Sequence, residues 1–140
     1  MVDNKNRQPK YGNFMTDDLI PHGQLVIQIV AMPADTNANG DIFGGWLVSK
    51  LDMGAGIAAR HRARSRVVTV AITDLVFIKP VSVGDTVCCY ADLLKVGRSS
   101  MQFRMQAWTL SPTEKLSKAA EGIFTFVAID EDRKPHAVDR

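Results

Sequence analysis

Residues 32–60, MPADTNANGDIFGGWLVSKLDMGAGIAAR, run a polar Asn/Asp/Gly loop straight into one long apolar helix, and the segments around it are rich in β-branched residues. A chain with a single such helix has one element against which its strands must find burial. Gly40, Gly44 and Gly45 crowd the helix start, and one carboxylate, Asp52, stands among Leu51, Met53, Gly54, Ala55 and Gly56. Residues three and four apart share a helix face. Asp52 therefore lies beside Val48 and Ser49 on one side and Ala55, Gly56 and Ala59 on the other. Such small neighbours let another backbone or a ligand come close, which makes Asp52 a candidate catalytic group. The plainer alternative is a carboxylate that faces a water-filled groove or pairs with a surface arginine.

In the preceding loop, Asp41 stands where an N-cap is expected, and Asn37 and Asn39 are ordinary turn formers. Capping accounts for Asp41 but not for the glycines, because Gly44 and Gly45 in a first turn each weaken a helix by about 1 kcal/mol relative to Ala. A close approach to the backbone would explain them. The free amides of a helix start also form a site for an anion or a developing oxyanion.

The rest of the chain reads as strands. Residues 24–31 (QLVIQIVA) are β-branched and apolar and stop at Pro33. Residues 67–78 form a second strand ending at Lys79-Pro80, since proline cannot serve a central ladder. Residues 86–96 follow the Val83-Gly84-Asp85 turn, and Gly97-Arg98 fits a two-residue hairpin with glycine first. In residues 100–110, Met101, Phe103, Met105 and Ala107 alternate with Gln102, Arg104, Gln106 and Trp108, the period of a half-exposed strand. Residues 119–129 return as the last strand. Residues 1–21 are polar and aperiodic and read as a mobile arm, 22–130 as the folded domain, and 131–140 as a charged, loose tail. One strand, one helix and an antiparallel meander make an α+β domain whose sheet curls around the helix.

Composition removes several functions. At 140 residues the chain has the size of a single domain, able to bury about two thirds of its unfolded surface. A net charge of +2 gives no drive towards nucleic acid, and the basic run Arg60, His61, Arg62, Arg64 and Arg66 lacks interleaved aromatics. At a helix C-terminus those cations offset the macrodipole, and in a functional reading they contact phosphates. Cys88 and Cys89 are adjacent, so in a strand their side chains point to opposite faces and form neither a metal cluster nor a disulfide framework. His22, His61 and His136 lack zinc-motif spacing, so no metal is expected. GDIFGGW lacks the Lys-Ser/Thr of a phosphate loop and the G-x-G-x-x-G of a dinucleotide fold. No secretory signal pattern is present, and Lys50, Asp52 and the glycines interrupt the helix too often for a membrane span. A cytoplasmic protein without membrane association is the expectation.

The run AMPADTNANGDIFGGWLVSKLDMGAG, followed by RVVTVAITDLVFIKPVSVGDTVCCYADLLKVGRSS, closely resembles the YciA-type bacterial acyl-CoA thioesterases. The resemblance implies the hotdog fold, with two subunits pairing edge to edge and dimers assembling into a hexamer as a trimer of dimers. It implies an enzyme that hydrolyses acyl-CoA to the free acid and coenzyme A, the coenzyme being part of substrate and product rather than a resident cofactor. Asp52 matches the family's catalytic carboxylate, acting as general base on water or as nucleophile through an anhydride. Gly44 and Gly45 supply the oxyanion amides, and Asn37 and Asp41 match the polar loop that faces the site from the partner subunit. Holding the coenzyme calls for cations and hydroxyls, for which Arg98, Ser99 and Ser100 in KVGRSS, together with Thr69, are the candidates. Two other hotdog functions stand beside this one. A hydratase or dehydratase would need a histidine beside the acid, and none occurs in residues 32–60. A non-catalytic acyl-CoA-binding protein would need no carboxylate facing its tunnel.

Overall fold

The computed structural model describes residues 19–140, so the arm expected over residues 1–21 lies outside the described residues except for its last three. Five strands and one long helix follow in order: β1 (Gln24–Val30), α1 (Gly44–Ala63), β2 (Arg66–Phe77), β3 (Thr86–Val96), β4 (Ser100–Leu110) and β5 (Ser117–Ile129). All pairings are antiparallel and the spatial order is β1-β3-β4-β5-β2. The chain thus lays β1 on one edge, crosses the sheet with α1 and returns as β2 on the opposite edge. This is the hotdog arrangement, an antiparallel sheet wrapped on one helix.

The helix can lie on the sheet because its inward face is small. Leu51, Ala55 and Ala59 are completely buried and share one core with Met101, Met105 and Phe124. Gly54 marks the tightest approach: a methyl there would stand 2.8 Å from Val26 Cγ2 and 3.5 Å from Met105 Cε. Alternation along β4 decides which side chains join this core. Met101, Phe103, Met105 and Ala107 face the helix, and register carries the same face across to Phe126, Phe124, Gly122 and Ala120 of β5. Fully burying a side chain the size of Leu51 contributes about 1.5–3 kcal/mol.

Several local expectations need correction. Asp41 does not cap the helix; Phe43 occupies the N-cap without a side-chain bond. Asp41 is held two residues earlier, its N–H donating to Asn37 Oδ1 (3.2 Å) and its carbonyl accepting from Asn37 N (2.7 Å). The turn is centred on Arg98-Ser99 and not on Gly97-Arg98: Gly97 faces Ser100, its N–H donating to the Ser100 carbonyl (2.8 Å), and Gly97 does not take the positive φ that a glycine-first two-residue turn requires. β4 is not half-exposed over its second half. Gln106 and Trp108 are buried on the outer face, where Trp108 Nε1 donates to Gln106 Oε1 (3.0 Å) and Gln106 Nε2 and Lys118 Nζ both donate to Glu121 Oε1 (2.9 and 2.8 Å).

The charged tail is not loose either. Val138 is buried in the core cluster, His136 N donates to the Ala128 carbonyl (3.0 Å) and Arg62 pairs with Asp139 (2.8 Å). The arginine holds the Asp139 carboxyl below the usual carboxylate range through that hydrogen bond.

Two measurements check this packing. Gly54→Val forces an isopropyl group into space that Val26 and Met105 already fill, so it should lower stability by about 1–3 kcal/mol, read as a lower urea midpoint at unchanged m-value. Burial, reinforced by Cys88, pushes the Cys89 thiol up to about 12, and Cys88 is buried as well. The native protein should therefore resist a thiol reagent at pH 8, whereas the denatured chain should titrate both cysteines.

Candidate active site

Asp52 sits in the middle of α1, half-buried, on the flank that faces the edge strand β2. Register explains its partner. Met101 of β4, Phe126 of β5 and Thr69 of β2 lie in one cross-sheet row on the helix side, which points the Thr69 hydroxyl inward. Thr69 Oγ1 donates to Asp52 Oδ1 at 2.8 Å. That bond fixes one carboxylate oxygen and leaves the other lone pairs open to a water or a substrate. Thr69, expected among the coenzyme-binding residues, is tied to Asp52 within the protomer. No arginine pairs with Asp52 among the described residues, so the surface ion-pair alternative does not apply.

A second group gathers elsewhere. Asn37, Asp41, Gly44, Leu47 and Phe77 line a cleft of about 350 Å³, with Lys79 at its side. Asn37 Oδ1 accepts from the amides of Asn39 (2.9 Å) and Asp41 (3.2 Å), so its carbonyl oxygen is committed to the loop while its amide N–H groups remain available as donors. As the first two residues of α1, Gly44 and Gly45 have amides without an intrahelical acceptor. The close approach that the glycines implied is real at Gly44, where an added methyl would lie 3.1 Å from Phe77 Cζ. At Gly45 the nearest atoms belong to the neighbouring Phe43 ring at 3.5 Å, an ordinary contact. Asp52 does not line this cleft. Eight residues separate it from Gly44, which is about 12 Å along a helix axis.

The 97–99 loop forms a third group. Arg98 is exposed and Ser99 and Ser100 are half-buried at the β3–β4 turn. Met101 begins the row that ends at Thr69, two strand spacings away, so the loop lies on the order of 10 Å from the Asp52 partner. The structure therefore brings Asp52, Thr69 and the 97–100 segment to one end of the sheet and keeps Asn37, Asp41 and Gly44 apart from them. The basic run disperses: Arg60 and His61 are exposed in the last helical turn, Arg62 is taken by Asp139, and Arg64 is the left-handed C-cap at φ 55°.

The family model of the thioesterase superfamily matches residues 39–115. The acyl-CoA thioester hydrolase YciA of Salmonella typhimurium is 48% identical over 124 residues, 86% of this chain and 93% of the relative. The chain belongs to the YciA-type acyl-CoA thioester hydrolases. Among solved structures, a hexameric thioesterase from Yersinia pestis shares 48% identity over 86% of this chain and 99% of its own, with a TM-score of 0.83. An acyl-CoA hydrolase from Staphylococcus aureus, solved with butyryl coenzyme A and coenzyme A, shares 33% identity over 79% of this chain and 68% of its own, with a TM-score of 0.74. That hydrolase was also solved as an Asp-to-Ala and an Asn-to-Ala mutant, at positions fifteen residues apart. Asn37 and Asp52 have the same spacing.

Two features of the site carry no signal in the sequence, the place of Lys79 and the partner of Thr69. Lys79 served only as a strand terminator there, yet it flanks the cleft, with Nζ 2.6 Å from Ser117 Oγ. Thr69 carried no signal for a bond to Asp52, since the pair is set by strand register seventeen residues on. Thr69→Val removes this donor while keeping the side-chain shape. It should lower kcat by about tenfold, the order expected for a lost hydrogen bond to a charged group, whereas Thr69→Ser should retain most activity; steady-state kinetics on acyl-CoA decide it.

Proposed function

We propose that the protein hydrolyses acyl-CoA thioesters in sites built between two copies of the chain, Asp52 and Thr69 coming from one and Asn37, Asp41, Gly44 and Gly45 from the other. The observation that carries this reading is the separation of the two half-sites. About 12 Å along the helix axis keeps the carboxylate of one chain from sharing a thioester with its own helix start. Two antiparallel helices bring each acid to the neighbour's loop. Gly45, Ser49, Asp52 and Gly56 recur at helical spacing on one face, and this stripe is not fully buried within the protomer. Beside it, β2 is an unpaired edge with Val70 and Ile72 exposed, and an open apolar edge of that length calls for a partner. A second copy joined through β2 extends the sheet. Three such dimers form the hexamer in our reading, since the Yersinia pestis relative is hexameric.

In the reaction, Asp52 takes a proton from water as the water oxygen adds to the thioester carbonyl. The tetrahedral oxyanion is met by the Gly44 and Gly45 amides, with Asn37 as a further donor, and collapse expels coenzyme A as the thiolate. We favour Asp52 as general base over nucleophile, because a thioester is activated enough for a positioned water. Arg98, Ser99 and Ser100 grip the coenzyme, which enters as part of the substrate; no resident cofactor has a role. Among the described residues no group of His, Cys, Asp and Glu gathers to hold a metal, and no helix is long and apolar enough to cross a membrane. A cytoplasmic setting belongs to the same proposal.

Two experiments test it. Asp52→Asn should leave a folded oligomer and lower kcat by at least about a hundredfold, the usual contribution of a general base; near-normal turnover in the pure variant removes Asp52 from the mechanism. Mixing then tests the sharing. Asp52→Asn chains co-refolded with Asn37→Ala chains should regain activity, because a mixed dimer holds one intact site. Verified mixed dimers as inactive as both parents would sink the shared-site reading. Release of free thiol from acyl-CoA by the wild-type protein separates hydrolysis from mere binding and from hydration chemistry.

A further inference from the structure

The loop that carries Arg98 has no fixed side-chain tie of its own among the described residues; its position is set through the main chain. The Ser99 carbonyl accepts from Ala128 N (2.8 Å) and the Arg98 carbonyl from Val138 N (2.7 Å). Val138 belongs to the tail beyond β5, and that tail is anchored at both sides of the contact. Upstream, Asp130 N donates to the Lys134 carbonyl (2.8 Å) and His136 N to the Ala128 carbonyl (3.0 Å), folding the chain back along β5. Val138 itself is 4% exposed and packs in the core. Downstream, Arg140 closes the arrangement. Its Nη2 donates to the Ala63 and Arg64 carbonyls (3.0 and 3.3 Å), and its Nη1 donates to the Ala137 carbonyl (2.8 Å) and lies 3.2 Å from His136 Nε2. Ala63 ends α1 and Arg64 is its C-cap, so these acceptors are carbonyls a helix end leaves without intrahelical donors. Arg62 adds a two-pronged contact to Asp139 from the same last turn (2.8 and 3.4 Å).

We propose that residues 136–140 act as a strap that positions the 97–99 loop for the coenzyme, tying it to the end of the helix that bears Asp52. Val138 and Arg140 are positioning residues: neither touches the thioester, and each acts through the Arg98 backbone or the helix end. The proposal rests on the reading of Arg98 as the coenzyme grip. The strap gives that grip a fixed distance from the carboxylate, because loop and helix end are held by the same five residues. A substrate with a long nucleotide tail needs such a constraint, whereas a short thioester does not.

The test uses the full chain with Arg140→Ala, Arg98→Ala and the double variant. Arg140 is exposed, so its replacement leaves the core packed. Amide exchange over residues 97–100 should quicken by about threefold or more in Arg140→Ala, since a local opening has lost its tether. KM for acyl-CoA should rise by at least about threefold with kcat near wild type, the signature of lost uniform binding. KM for the matching acyl-N-acetylcysteamine thioester, which lacks the nucleotide, should not move. On the Arg98→Ala background Arg140→Ala should add nothing, because both changes remove the same grip. Unchanged exchange overturns the strap. An equal KM rise for the short thioester, or full additivity with Arg98→Ala, overturns its role towards the coenzyme. If Arg98→Ala alone leaves KM unchanged, the grip reading fails and takes that role with it, while the exchange rate still decides whether the strap holds the loop.

Discussion

The contact on which the structure depends is that between the small-residue face of α1 and the inner face of the sheet. Helix and sheet meet closely only because Gly54, Ala55 and Ala59 present almost no side chain, and Val26, Ile27 and Met105 fill the space they leave. Packing of this density tolerates little change in volume. It also holds the helix in one rotational setting, and that setting turns Asp52 away from the β1 side and towards β2. The carboxylate proposed to be catalytic is only as well placed as the packing of the opposite helix face.

From the same setting follows the division of the site. Gly44 and Asp52 belong to one rigid element, so the distance between them is fixed by helical rise and not by loop conformation. Nothing inside a protomer can bring them together. In the proposed reading a fold with one helix makes a complete site only by repetition, and β2, the edge strand nearest the carboxylate, is one of the two edges open to a second copy. Catalytic competence and assembly are coupled by geometry in this reading.

The outer face of the sheet follows different rules. Gln106, Trp108, Lys118 and Glu121 form a buried polar cluster in which Glu121 Oε1 accepts two hydrogen bonds, while Oε2 has no partner among the described residues. A buried carboxylate costs several kcal/mol unless paired, and Lys118 at 2.8 Å supplies the opposite charge. The cluster stiffens the end of β4 and β5 furthest from the Arg98 loop, where the tail does the corresponding work with backbone bonds.

The sequence alone determined the elements and singled out one carboxylate as the candidate. Period-two alternation in β4, β-branched runs elsewhere, and proline or glycine at the boundaries placed all five strands to within two residues at either end, because those signals are local. Asp52 stood out because a lone acid among glycine and alanine has few structural uses, and the motifs around it were specific enough to name the family. Tertiary structure decided everything that joins distant residues. Thr69 meets Asp52 through the register of β2 on β5, which no spacing reveals. Asp41 lost the cap to Phe43 because Asn37 holds it in a turn two residues too early. Gln106 and Trp108 look like solvent-facing positions and are buried by a face that the alternation cannot see. Residues 131–140 are charged enough to read as loose, yet one valine, one ion pair and the Arg140 contacts to helix-end carbonyls dock them. Local pattern records which way a side chain must point from its own strand or helix, and what it meets there is settled only when the rest of the chain has packed.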